Sequence, residues 1–467
     1  MTGTFPSEPV AASTGQLRER PREGVEVARL SVSSVDGIAV IERFSTEIDR
    51  LNAASARPNP FLSSAFLRCY ALRSEHHVPG AEERLYLIHD GERLIGCAPM
   101  RRSLDELGPG LGPLRPRGMR LRFLAPFDTE QPGILSAPQD EERVAAALIS
   151  HLCDRERGWG LLEFIGQQPG GTLYRALHVA AGDRFRVRDI EAEPYMAVPI
   201  VWKDLNGYFR SLVQKMRSNI SRQARRLFAS GEAELVLAEG ALAVTAWFEA
   251  YCDLDSRSWK RDTPSSIQRD PRRVGFYREI VAGSSGFAPS FVGVLLDGVL
   301  MAGLIAGSSA TCSPQSHGAW CFEMAYDRSR ADLGPGQLLF LLAIGQAIER
   351  GDRSISFMQN FAYYKHRWKA EPIDVVDVQL IRRASLHNLR ILLSDLKKWW
   401  HNRHKRPDDS TAAIERSETK KEYEAGVSPQ DLERARHLAA AALAYNGAGI
   451  RRLDRARSRM HLPFDLE

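Results

Sequence analysis

The side chains best equipped for chemistry lie between Gly318 and Lys369. The stretch GAWCFEMAYDRSRADLGPGQLLFL reads as a strand over Ala319–Tyr326, a polar loop closing on Gly334-Pro335-Gly336, and an apolar helix that begins at once. Glu323 sits in the strand among Trp, Cys, Phe, Met, Ala and Tyr. A carboxylate there is costly unless it is paired or faces a cleft. In a cleft, burial raises its pKa toward that of a useful base; a structural ion pair with one of the many arginines is the alternative. His317 and His366 are further candidate bases. Glycines at a strand–loop–helix junction let the backbone approach a ligand, and free N–H groups at a helix start attract phosphate oxygens. The loop therefore suits a pyrophosphate-bearing ligand, or is a tight turn built for geometry alone. It is neither a P-loop, since no Lys-Ser/Thr follows, nor a GxGxxG dinucleotide loop.

A second cluster follows in FMQNFAYYKHRWK, where Tyr363, Tyr364, Lys365, His366, Arg367, Trp368 and Lys369 crowd together just past an expected strand. A phenol can protonate a departing thiolate, and Lys or Arg can hold phosphate or carboxylate. An exposed basic turn with Trp368 packed inward explains the same composition.

The elements that must position these groups occur twice. LYLIHDGERLIGCAPM (85–100) and FVGVLLDGVLMAGLIAG (291–307) each join two apolar runs through Asp-Gly, a strong hairpin signal because both turn residues tolerate φ > 0. An apolar-periodic helix precedes each hairpin, over 61–74 and 245–259. A further helix follows each, 144–157 and 337–350, stopped by Gly158 and Gly351, and then a strand, 161–165 and 354–358. The same order twice predicts two copies of one α/β unit.

At 467 residues the chain exceeds one core, and its 43% hydrophobic and 26% charged residues are those of a soluble globular protein. Residues 1–24 are expected to be disordered, 25–192 and 193–400 to form the two units, 401–427 a linker, and 428–467 a helical tail. The segment 204–227 reads as a helix rich in Arg and Lys: a solvated face, the lining of an anionic substrate site, or a contact for RNA or an acidic membrane. No apolar run approaches the roughly 20 residues of a membrane span, and the polar N-terminus lacks a signal-peptide core, so the expected location is cytoplasmic. The six cysteines contain no CxxC pair and read as buried thiols, not as disulfide or metal ligands. The net charge of +5 fits an anionic ligand without being a nucleic-acid signature.

The ordered set of Arg210–Arg226, Trp259-Lys260, Asp297-Gly298 with Ala302-Gly303, LGPGQLL, SISF and YYKHRW resembles the cellulose-biosynthesis (CelD-like) branch of the GNAT acyltransferases, relatives of the Fem peptidyltransferases. The resemblance covers 205–370 well and 25–190 as a pattern only. It implies two tandem GNAT-like domains and transfer of an acyl group, acetyl foremost, from acyl-CoA to an amine or hydroxyl, without a metal. It places Gly334, Gly336, Gln337 and Leu338 at the donor, with Lys365 beside them. Glu323 is implied as base and Tyr364 as the acid that protonates the leaving thiolate. Arg217, Trp259, Lys260 and Trp368 are the expected acceptor side, for a small-molecule or saccharide acceptor in exopolysaccharide or cell-envelope synthesis. The family's loop carries Gln/Arg-x-x-Gly-x-Gly/Ala; here it reads Ala331-Asp332-Leu333-Gly334-Pro335-Gly336, and Pro335 removes one N–H from the cradle. The first unit has PFDTEQPGILS in that place and is expected to be a degenerate copy. The rivals are a Fem-type enzyme using aminoacyl-tRNA, the one route by which nucleic acid would be a partner, and a non-catalytic scaffold of a polysaccharide-synthesis assembly. The tail is expected to contact the body, a partner or a membrane surface.

Overall fold

The computed structural model describes residues 30–73, 81–107, 117–124, 129–309, 318–359, 363–404, 429–443 and 450–453. The expected disordered N-terminus, nearly all of the expected linker, His317 and Cys312 lie outside them.

The first half runs β1 (Ser31–Asp36), α1 (Ala39–Arg43), α2 (Ser45–Ala54), α3 (Ser64–Arg73), β2 (Glu82–Asp90), β3 (Arg93–Glu106), β4 (Arg117–Phe123), β5 (Leu135–Ser136), α4 (Glu141–Asp154), β6 (Leu161–Gln167), α5 (Thr172–Val179) and β7 (Phe185–Glu191). There follow β8 (Tyr195–Pro199), α6 (Leu205–Ser211), α7 (Gln214–Ala229), β9 (Ala233–Glu239), α8 (Ala241–Arg257), α9 (Pro271–Val281), β10 (Phe287–Leu296), β11 (Val299–Ser309), β12 (Ala319–Tyr326), α10 (Pro335–Arg350), β13 (Ser354–Gln359), α11 (Tyr363–Arg367) and β14 (Glu371–Ile373). The chain closes with β15 (Val376–Arg382), α12 (Leu386–His404), α13 (Pro429–Leu443) and β16 (Ile450–Leu453).

Among the described residues the strands form two eight-stranded mixed sheets. The first has the order β1-β2-β3-β4-β6-β15-β7, with β5 beside β3; the second has β14-β8-β13-β12-β11-β10-β9-β16. Both hairpins form, the second on Asp297 (φ 51°) and Gly298 (φ 73°) as expected, the first one residue later than expected, on Gly91 and Glu92, because Asp90 pairs with Arg93 in the ladder. Each half also places two parallel strands side by side, β4 with β6 and β12 with β13, joined through a helix (α4 or α10).

Next to its parallel pair the first sheet takes in a strand from the end of the second half. β8 follows β7 in the chain but pairs with β13, while β15 follows β14 but pairs with β6 and β7. The expected limit of the second unit at residue 400 is corrected by this crossing, because β15 and α12 lie on the first sheet. The physical reason is that an open strand edge exposes unpaired N–H and C=O groups, and the nearest chain able to cover it belongs to the other half. The tail is likewise not wholly helical. α13 packs on α8 and β11 through buried Ala435, Ala439 and Ala442, and β16 extends the second sheet along β9.

An aromatic core ties the halves together. The Phe61 ring lies 5.2 Å from Phe287 and 5.5 Å from Trp320, and Phe66 lies 5.7 Å from Phe276. Such pairs each add roughly 0.5–1.5 kcal/mol beyond the area they bury.

Candidate active site

The site begins where β12 and β13 part. They pair only at Ala319↔Ile355 and Trp320↔Ser356, and beyond these residues the strands diverge. On its other edge β12 bulges: Ile305 faces Glu323 while Ala306 faces Cys321, leaving Phe322 as the extra residue. A bulge bends its strand and re-aims the side chains beside it. Glu130, from the first half, pins the parting point: its carboxylate accepts from Trp320 Nε1 at 2.9 Å and from the Ser356 hydroxyl. Burial pushes the Glu130 carboxyl upward, against the pull of those two hydrogen bonds and of the Lys365 charge.

The first turn of α10 stands at the opening. Gly334 adopts φ 62°, ψ 37° and caps the helix, and Pro335 takes the first helical position, where its missing N–H costs nothing. A Cβ at Gly334 would fall 2.2 Å from the Gln223 side-chain amide, which would have to swing aside, and the positive φ favours glycine there. At Gly336 a Cβ would meet the Tyr326 ring at an ordinary 3.5 Å. Its N–H, in the first turn, has no carbonyl partner within the helix. Gln337 Oε1 accepts from Asn219 Nδ2 at 3.3 Å, which ties α10 to α7.

The helix expected over 204–227 forms as two, α6 and α7, parted at Leu212 and Val213; α7 buries Met216, Ile220, Ala224 and Leu227 at helical spacing and turns Lys215, Arg222, Arg225 and Arg226 outward. Between α7, β12, the start of α10 and the end of β13 lies a cavity of about 1650 Å³. Lys215, Asn219, Arg222 and Gln223 form one wall, Glu323, Met324 and Tyr326 another, and Gly334, Gly336 and Gln337 a third. His366, Arg367 and Lys369 stand along the edge. Cys321 also faces it, with its thiol pushed up to about 12 by burial.

Glu323 is 5% exposed and held by two cations: Lys260 Nζ bonds one oxygen, and Arg273 donates to the other at 2.8 Å. The sequence reading thus separated what the fold joins, since Lys260 was expected on the acceptor side and Arg273 was not singled out. Their three charges leave the centre net positive beside the helix start. Trp259 is 41% exposed at the opening, 6.4 Å from the Tyr326 ring.

Three expected site residues do structural work, though Lys365 among them also lines the cavity. Leu338 is fully buried in the core of the second half, because the apolar face of α10 must pack on the sheet. The Arg217 guanidinium clasps the carbonyls of Arg210 (3.0 Å) and Leu212, joining α6 to α7. Lys365 is buried, and its Nζ donates to the Phe357 carbonyl at 2.9 Å and reaches those of Met358 and Gln359; burial lowers its pKa to about 8. It thus ties down the end of β13, where Met358 holds φ 59°. Trp368 lines the cavity as an inward-packed wall, 2% exposed and 5.7 Å from Phe340. Tyr364 is placed in α11, but its side chain lies outside the described residues.

Over residues 214–366 the sequence matches the family described as acetyltransferase (GNAT) domain. This stretch matches a GNAT domain. It runs from α7 to the end of α11 and so contains the helix start, the parted strands and Glu323 with both of its cations. No curated protein compared with the chain is significantly similar to it. Among solved structures, FemX aligns at TM-score 0.49 and 11% identity over 75% of this chain and 98% of its own. A tandem GNAT protein from the clavulanic acid biosynthesis pathway aligns at 0.45 and 13%, over 76% and 99%.

Proposed function

We propose that the second half transfers an acyl group from acyl-CoA to an amine or hydroxyl. The observation that carries this reading is the parting of β12 from β13 in front of the α10 N-terminus, beside a cavity roomy enough for a nucleotide thioester. The donor's pyrophosphate would sit at Gly334–Gln337, held by the Gly336 N–H and the helix dipole, with Lys215 and Arg222 adding charge. The thioester would lie in the gap, its carbonyl oxygen toward backbone N–H groups on the free edge of β12.

The acceptor's lone pair attacks the thioester carbon, and its proton passes to Glu323 through a carboxylate lone pair that Lys260 and Arg273 leave open. The C–S bond then breaks, and Tyr364 supplies the proton to the thiolate. Trp259 flanks the acceptor at the opening. The resemblance to the cellulose-biosynthesis branch favours a saccharide or other cell-envelope acceptor. The first half serves as a structural copy that pins the gap through Glu130.

The test is thermal unfolding with increasing CoA, acetyl-CoA and longer acyl-CoAs. A ligand at about 100 times its Kd stabilises the folded state by roughly 2.7 kcal/mol, which shifts the midpoint visibly. A saturable shift supports the reading. No shift with any thioester removes it and leaves charged tRNA as the next donor to try.

A further inference from the structure

Helix α12 is inside out. Its inward face is polar: His387 is 4% exposed, and Asp395 reaches Arg186 at 3.4 Å and Arg188 at 3.7 Å on β7. Its outward face carries Leu386, Leu389, Leu392, Leu393 and Leu396, each between 49% and 59% exposed. These are five of the eleven exposed large apolar side chains among the described residues. Scattered exposed leucines need no explanation, but a contiguous stripe along one helix marks a contact surface.

The chemistry of that contact is written in the rest of the helix. The spacing 386, 389, 393, 396 continues to Trp400, and 392, 396 continues to Trp399, so both tryptophans fall in register with the stripe. Between Asp395 and the helix end at His404 the sequence holds Lys397, Lys398 and Arg403 and no acidic residue. A second copy of this chain is a poor occupant. Paired in parallel, the two cationic ends would meet; paired antiparallel, each would meet Arg382, Arg383 and Arg390 at the other's start. Leucines on one side, tryptophans in register and cations at the end are what a helix lying in a membrane interface presents. No described helix is long and apolar enough to cross a membrane.

We propose that α12 docks the protein onto an anionic phospholipid surface, its leucine stripe entering the acyl boundary and its cationic end meeting the headgroups. The helix spans roughly 28 Å at 1.5 Å per residue, enough to lie along the surface for its whole length.

Flotation of the full chain with vesicles of equimolar phosphatidylglycerol and phosphatidylcholine tests this, with pure phosphatidylcholine as the comparison. The wild type should float with the anionic vesicles. L389E/L393E should partition at least about tenfold less. K397E/K398E should also bind less and lose most of the salt dependence. The substituted leucines are solvent-facing, so an unchanged melting midpoint and circular dichroism spectrum would certify the fold of L389E/L393E. The proposal is overturned if the wild type ignores anionic vesicles, or if L389E/L393E binds as well as wild type. It is equally overturned if light scattering shows a dimer that L389E/L393E splits while neither form binds vesicles.

Discussion

The two halves share one frame and differ at the start of one helix. α4 and α10 both link a parallel pair of strands, yet α4 opens on Asp140 with Glu141 and Glu142 in its first turn, whereas α10 opens on Gly334-Pro335-Gly336 with no acid there. Carboxylates in a first turn satisfy the positive end of the helix and repel any further anion. Asp140 is already engaged by Arg143 at 3.3 Å. On the sheet itself, Arg120 of β4 binds Asp105 at 2.5 Å and Glu163 at 2.8 Å, so there one cation meets two carboxylates. In the second half two cations meet one carboxylate, and the first turn of α10 carries no acidic residue. A duplicated scaffold therefore supplies the elements, while a few residues give the two copies opposite charge at the helix start, the difference on which the proposed donor site rests.

The sharpest challenge to this contrast is Glu323→Gln. Turnover should fall by about 10²–10⁴-fold while the acyl-CoA-induced rise in melting midpoint survives, because the donor binds elsewhere. Full turnover in E323Q would reduce Glu323 to an anchor for Lys260 and Arg273. Next in size, Gly336→Asp gives α10 an acidic first turn like that of α4. Calorimetric titration with CoA should show affinity at least about tenfold lower, and Glu141→Gln in the first half should change nothing; equal effects from both would erase the distinction. The smallest effect is expected from Glu130→Ala, which leaves Trp320 Nε1 and Ser356 without their shared acceptor. Chemical denaturation should register a loss of about 1–3 kcal/mol. No loss would mean that the first half does not pin the parting of β12 and β13.

Much of this was legible in sequence because it is local. Gly91 and Asp297-Gly298 announced the hairpins, and Gly334 and Gly351 the bounds of α10, since glycine takes positive φ without a steric cost. The cationic outer face of α7 followed from its periodicity. Less could be read where one segment's role depends on a distant one. Leu338 sits one residue past Gln337, and only the packing of α10 makes it core instead of site. Glu130 finds its partners 190 and 226 residues away, with no spacing to betray them.

The sequence by itself determined the repeated elements, their turns and caps, and the set of groups available for chemistry, because these follow from backbone preference and apolar periodicity over a few residues. Only the tertiary structure decided which of those groups meet. Buried charge must find its counter-charge wherever the fold places one, as Glu323 does in Lys260 and Arg273. An open strand edge must likewise be covered by whichever chain lies nearest, as β15 shows by crossing to the first sheet.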